Sequence, residues 1–240
     1  MKRISDEFAA SDVGDAMHAA IAHLLQMTDL HGAPSGVLAA ETSASTEQLG
    51  ARLLDGLCEN GAIAHDSRGA PYVEGCSAHT RFLLSSTDEG TTRCVAIIGP
   101  AQNSRLLGIG INVASYTDLQ PSNVLSTVIQ TQLSDEELHQ ISRMPADNCT
   151  KWVTAFISAR ESAIKALADP VRLHEVTYGR IKIRADVTDM HTLGTHNDTG
   201  HVIGSGETSA VLELAGVVHI PFCCVMTDSF VATCAFALGN

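Results

Sequence analysis

Ser158, Glu161, Ser162 and Lys165 recur at steps of three and four along one stretch of the chain. Those steps place four polar side chains on one face of an α-helix. Another face of the same stretch carries Trp152, Phe156, Ala159, Ala163 and Leu167, an apolar stripe of the kind that holds a helix in a core. Glu161 and Lys165 stand one turn apart, with the guanidinium of Arg160 alongside. A carboxylate flanked by two cations suits a hard metal ion and a phosphate. The plainer reading of Glu161 and Lys165 is a solvated pair worth about 0.2–0.5 kcal/mol.

Thiols and imidazoles supply a second set of candidates. His219 and Cys223 lie four residues apart, and a Cys–His pair can build an acyl-transfer nucleophile. Pro221 falls between them and breaks the strand that would align them. Cys76 with His79 is a similar pair. His191, His196 and His201 are spaced by five in a polar stretch, which fits an exposed loop better than a metal site. No Cys-x-x-Cys pair is present among the seven cysteines, and they read as reduced core thiols. The adjacent Cys223 and Cys224 would face opposite ways on a strand.

These groups need elements to position them. Val13, Met17, Ala20, Ile21, Leu24 and Leu25 form a helical stripe, with Asp12 as a candidate cap. Leu49, Leu53, Leu54 and Leu57 form another, opened near Ser45 or Thr46. Residues 31–45, rich in Gly, Ala, Ser and Thr, read as a loop. Arg81–Ser85 and Cys94–Ile98 read as strands around a turn at Asp88, Glu89 and Gly90, and Leu106–Val113 as a third strand. Residues 121–143 read as helical, with a capping box opening at Ser134. Past residue 168 the period changes from 3.6 to 2. Arg180–Arg184 alternates, Val211–Val218 and Ser229–Leu238 read as strands, and Gly204-Ser205-Gly206 reads as a hairpin turn. Helices then strands, twice over, imply an α+β chain with two similar lobes, 1–105 and 106–240, in one compact unit.

Hydrophobic content of 45% is enough for a filled core, and a net charge of −12 makes nucleic acid and anionic membrane poor partners. No apolar run reaches the roughly eighteen residues of a membrane span, and no signal-peptide core follows Lys2-Arg3. The expected location is the cytoplasm.

The stretch Phe156–Leu167 resembles the signature helix of the 4'-phosphopantetheinyl transferases, which run aromatic-x-Ser-x-Lys-Glu-Ser-x-x-Lys. Gly108-Ile109-Gly110-Ile111-Asn112-Val113 resembles that family's Gly-Ile-Asp strand. Ser85–Gly90 resembles its Ser-His turn, Gly69-Ala70-Pro71 its Gly-Lys-Pro turn, and Glu136 a recurring acidic position. The resemblance implies an α+β fold of two lobes related by a pseudo-twofold, with coenzyme A and magnesium in the cleft. It implies transfer of the phosphopantetheine arm to a carrier protein. It also makes Glu161 a metal ligand, joined by Glu136, and Arg160 and Lys165 phosphate contacts, with Ser86 and Asn112 lining the cofactor site.

Departures from that pattern fall on the chemistry. Asn112 stands for the family's metal-binding aspartate, Ala114 for an acidic group, Thr87 for the histidine and Ala70 for the lysine. Losing one charge at about 4 Å removes roughly 4 kcal/mol at an effective dielectric near 20. The resemblance therefore implies an enzyme that requires no cofactor of its own. It would accept the phosphopantetheine arm of a loaded carrier protein and pass its acyl group to a small amine, with Glu161, Cys223 and His219 as catalytic candidates. In this it would be similar to the amide-forming enzymes of lincosamide antibiotic pathways. Two alternatives stand beside it: an active phosphopantetheinyl transferase using coenzyme A and magnesium, and a non-catalytic carrier-binding module. An acidic carrier would need a local basic face, for which Lys2, Arg3, Arg180, Lys182 and Arg184 are the candidates.

Overall fold

The structure, a computed structural model, describes residues 10–30, 32–41, 43–55, 57–58, 60–65, 71–75, 82–99, 105–119, 127, 129–143, 149–168, 181–185, 202–210 and 217–239. Helix α1 (Ala10–Met27) buries Val13, Met17, Ala20, Ile21 and Leu24, the stripe expected of it; Asp12 sits inside its first turn rather than at a cap. Helix α2 (Thr46–Leu54) opens on a capping box between Ser45 and Gln48. Helix α3 (Asp135–Ser142) opens on one between Ser134 and Glu137. Helix α4 (Cys149–Ala168) is the helix predicted from the polar and apolar faces. In each capping box a hydroxyl accepts an orphan N–H while the third residue's side chain accepts from the cap.

The strands are β1 (Ser35–Glu41), β2 (Ala62–His65), β3 (Pro71–Glu74), β4 (Leu83–Glu89), β5 (Thr92–Ile98), β6 (Leu106–Ser115), β7 (Ile181–Ala185), β8 (Val202–Ala210), β9 (Val217–Met226) and β10 (Phe230–Gly239). They make a three-stranded sheet in the order β1-β5-β4, a five-stranded sheet in the order β6-β10-β9-β8-β7, and the hairpin β2-β3. All pairings are antiparallel. The order first strand, last strand, penultimate strand recurs in β1-β5-β4 and β6-β10-β9. In each case a later helix packs on the first and last strands: α2 on β1 and β5, and α4 on β6 and β10. The architecture is α+β, with the same plan used twice.

Among the described side chains, the five-stranded sheet carries an apolar cluster on each face. On one, α4 packs over Ile181, Ile183, Cys224, Met226, Val231 and Ala235. On the other, α1 packs over Ile111, Cys223, Val225, Cys234 and Phe236. Cys223 and Cys224 thus face opposite ways, as expected. At Gly110 the α4 backbone passes so near β6 that an added β-carbon would overlap Ser162 O and stand 2.6 Å from Ala166 N.

Several elements differ from expectation. Residues 31–45 hold β1, whose small residues read as loop but pair with β5 from Ser35↔Ile98 to Glu41↔Thr92. Gly204-Ser205-Gly206 is mid-strand, because β8 is laddered on both edges, to β7 and to β9. Strand β9 starts at Val217 and runs through Pro221. Its register with β10 is constant from Val231↔Met226 to Leu238↔His219 and shifts only between Leu238 and Gly239, so the proline is accommodated within an unbroken register. Cys58 is disulfide-bonded, which corrects the reading of seven reduced thiols. Cys76, His79, Gly69-Ala70 and the His191–His201 stretch lie outside the described residues.

Gly110→Ala should destabilise the protein by at least about 3 kcal/mol, the upper range for overpacking, because helix and sheet backbones meet there. Urea unfolding of the variant against the parent measures it.

Candidate functional site

The close approach of α4 to β6 brings the polar face of the helix into contact with β4, β6 and β10. Lys165 Nζ donates to Ile111 O at 2.9 Å, to Asn112 Oδ1 at 3.2 Å and to Ser86 O at 3.3 Å. Its three protons therefore all have protein acceptors. Burial lowers the Lys165 pKa; Glu161 and then Asp88 pull it back up. Glu161 is half-buried one turn before Lys165. Among the described residues, the sequence candidates that this seam brings together are Glu161, Lys165, Asn112 and Ser86.

Asn112 is buried and bonded through both its oxygen and its nitrogen. Its Oδ1 also accepts from Thr87 Oγ1 at 3.2 Å, and its Nδ2 donates to Ser158 Oγ at 3.0 Å. Ser158 Oγ and Ser162 Oγ each lie 2.7 Å from Thr233 Oγ1. Ser162 Oγ also donates to Thr233 O at 3.2 Å, and Thr233 Oγ1 to Asn112 O at 3.3 Å. Ser158, Ser162 and Thr233 are buried and support the site from behind. Thr233 was missed from the sequence, although it is the one hydroxyl in the otherwise apolar run from Phe230 to Leu238.

Strand β4 joins the seam through side chains of one alternating set. Ser85 Oγ accepts the Ile111 N–H at 3.1 Å, and Glu89 Oε1 accepts the Ser115 N–H at 3.1 Å. These contacts tie the edge of the small sheet to β6, the edge of the large one. Asp88, the exposed member of β4, is gripped by Arg93 through two bonds of 2.7 Å. That grip holds its carboxyl below the ordinary carboxylate range.

Arg160 does not join this group. It is 2% exposed and turns inward to an ion pair with Glu137, which is 1% exposed. Its Nε donates to Ile181 O at 3.0 Å and its Nη1 to Gln132 O at 2.6 Å. Glu137 also accepts from the Ile183 and Ser134 N–H groups, each at 2.8 Å. Arg160 thus fastens α4 to α3 and β7 instead of facing a phosphate. Glu136, expected as a metal ligand, is exposed on α3; the inward carboxylate is its neighbour Glu137. The capping box points to this, since it places Glu137 at the third helical position.

Cys223 is corrected as a nucleophile. It is fully buried on the α1 face of the sheet, and burial raises its thiol pKa well above the ordinary value, with Cys224 and Cys234 adding to the effect. A thiol needs its thiolate to attack. Cys94, in the same apolar cluster, is pushed up to about 12 by burial. His219 pairs with Leu238 in β9, and its side chain lies outside the described residues.

These residues do not fit a magnesium–pyrophosphate centre. The oxygen of Asn112 is neutral and already takes two donors, Lys165 has no proton left over, and Arg160 is inside the core. Among the described residues no group of three or more His, Cys, Asp or Glu side chains is placed to hold a metal. The acids Glu161 and Asp88 both act to raise the Lys165 pKa.

No known protein family matches the sequence, and no curated protein matches it. Among solved structures, the chain is similar to a holo-(acyl-carrier-protein) synthase from Bacillus anthracis str. Ames in complex with CoA (3',5'-ADP). The identity is 15% and the TM-score 0.40, over 56% of this chain and 98% of that one. It is also similar to the holo-ACP-synthase from Plasmodium yoelii at 16% identity and a TM-score of 0.39, over 56% and 96%. Likeness at this level does not decide the family.

Arg160→Met should destabilise by about 3–5 kcal/mol, the range for orphaning one buried ion-pair partner. Adding Glu137→Gln, which removes the orphaned charge and keeps an oxygen for the Ile183 N–H, should restore part of that loss in the same unfolding measurement. A phosphate-facing arginine would behave otherwise: its removal would leave stability nearly unchanged. The thiols give a separate check. Half-buried Cys149 should label with a maleimide in the native protein, whereas Cys94, Cys223, Cys224 and Cys234 should label only after denaturation. Mass spectrometry of the labelled peptides reads the difference.

Proposed function

We propose that this chain takes an acyl thioester carried on the phosphopantetheine arm of a carrier protein and transfers the acyl group to a small amine. The two lobes, 1–105 and 106–240, would act as one unit around the seam of β4, β6 and α4. The observation that carries this reading is that all three Lys165 protons end on protein oxygens while acids stand around it. Such a site favours an amine over a pyrophosphate. Thioester aminolysis needs neither a nucleotide grip nor a metal; it needs a base for the amine.

Glu161 is that base. As the amine nitrogen bonds to the thioester carbonyl carbon, Glu161 takes the amine proton. As the carbon–sulfur bond breaks, the proton passes to the departing sulfur and leaves a free phosphopantetheine thiol. Ser86, half-buried on β4, lines the approach to Lys165. Lys165 positions Glu161, and Asn112 positions Lys165 by accepting from its ammonium; neither reacts. The edge strand β7, which carries Lys182 and Arg184, is the docking candidate for an acidic carrier, and association there is salt-sensitive. The setting is amide formation in a secondary-metabolite or antibiotic pathway, in the cytoplasm. The Cys58 disulfide would have to persist in that reducing compartment.

The second reading is phosphopantetheinyl transfer from coenzyme A, favoured by Glu161 and Lys165 standing together beside Asn112. One experiment separates the two. The protein is mixed either with an acyl-loaded carrier protein and a panel of amines, or with coenzyme A, magnesium and apo carrier protein. Amide product in the first mixture, lost in Glu161→Gln while carrier binding persists, is the expected result. Apo carrier gaining the mass of one phosphopantetheine group in the second would replace this reading with the other. Neither product would leave a binding module.

A further inference from the structure

Two buried donors lack an acceptor among the described residues: Tyr116 Oη and Trp152 Nε1. The residues are 5% and 6% exposed and belong to the same apolar cluster, on the α4 face of the large sheet. Tyr116 opens the 3-10 turn Tyr116–Leu119 that follows β6, and its backbone N–H donates to Ser229 O at 3.2 Å. That bond pins it to the hairpin between β9 and β10. From the first turn of α4, Lys151 Nζ lies 5.5 Å from the centre of its ring. The same ammonium reaches Thr227 O at 3.1 Å and Asp228 Oδ1 at 3.3 Å on the hairpin.

Nearly all buried polar atoms in folded proteins are paired, and an unpaired one points to a water, an ion or a ligand. Phenylalanine at either position would fill the cluster without an orphan. Burial raises the Tyr116 pKa, and Cys224 and Asp228 push it further, so the phenol remains a donor at neutral pH. Both unpaired atoms can donate, and their cluster, which includes Val153, Phe156, Cys224 and Met226, is apolar, so an oxygen acceptor on an apolar body suits them. An anion is disfavoured, because the nearest cation, Lys151, is already paired with Asp228.

We propose that Tyr116 Oη and Trp152 Nε1 are the donors of a second binding site, for an apolar molecule bearing a carbonyl oxygen, between the first turns of α4 and the β9–β10 hairpin. The site uses none of the groups of the β4–β6–α4 seam and does not depend on the function proposed for it. Trp152 is the only tryptophan, so a proton–nitrogen correlation spectrum of the labelled protein shows one indole signal. Titrating the intact protein with cyclohexanone should move that signal downfield and saturate. Methylenecyclohexane, which has the same shape without the oxygen, should bind at least about tenfold more weakly. Tyr116→Phe should melt no lower than the parent and should lose about tenfold in cyclohexanone affinity. An indole signal that does not move, or equal binding of ketone and hydrocarbon, overturns the proposal. Both readings use the parent protein and hold whether or not the variant folds. Unchanged ketone affinity in a folded Tyr116→Phe would also overturn it, leaving an internal water as the partner of the two donors.

Discussion

Helix α4 lies on β6 with backbone against backbone, and only a glycine at 110 leaves room for it. The polar contacts of α4 with β6 and β10 follow from that proximity. Ser158 and Ser162 are short side chains, and they reach Asn112 and Thr233 only because the helix axis sits so low over the sheet. Lys165 then extends past the edge of β6 and finds the carbonyls of both Ile111 and Ser86, which belong to different sheets. One missing β-carbon thus couples the two sheets through a single ammonium. The side chains of Ser85, Thr87 and Glu89 close the same joint from the β4 side.

Charges are paired both in the interior and at the rim. Arg160 and Glu137 cancel inside the core while gathering α3, α4 and β7 around them. A buried pair of this kind is weak evidence for stability, but breaking it is expensive, so it defines where those elements must sit. At the rim, Asp88 is held by Arg93, and Glu161 stands beside Lys165.

Much of this plan was legible because periodicity reports burial directly. The apolar stripe from Trp152 to Leu167, the stripe of α1 and the alternation at Ile181 and Ile183 all mark faces that the structure buries. The capping box at Ser134 was visible as a hydroxyl followed three residues later by Glu, and the start of α2 was placed near Ser45 or Thr46. What stayed hidden was set by partners distant in the chain. Strand β1 has no alternation of its own, being half-buried from Ser35 to Ala40, and is held by its register with β5. Arg160 and Lys165 carry the same charge on one helix, and nothing local says that one turns into the core while the other stops at its edge. That division depends on Glu137 and on the oxygens of β4 and β6. Cys223 and His219 looked paired by spacing, yet a strand with two buried faces makes every thiol on it an apolar side chain.

The amide of Asn112 also imposes a direction. Its oxygen is occupied by Lys165 and Thr87, so its nitrogen must face Ser158 and can only give a proton there. Ser158 is then left to point its own proton toward Thr233, which in turn can offer one to Asn112 O or Ser162. The three hydroxyls form a relay whose polarity is written by one amide. A carboxylate in the same place would accept at both ends, Ser158 would swing round to it, and Thr233 and Ser162 would have to reverse in turn. An exchange of nitrogen for oxygen on β6 would thus be felt on β10, across the width of the helix, with no atom there having changed.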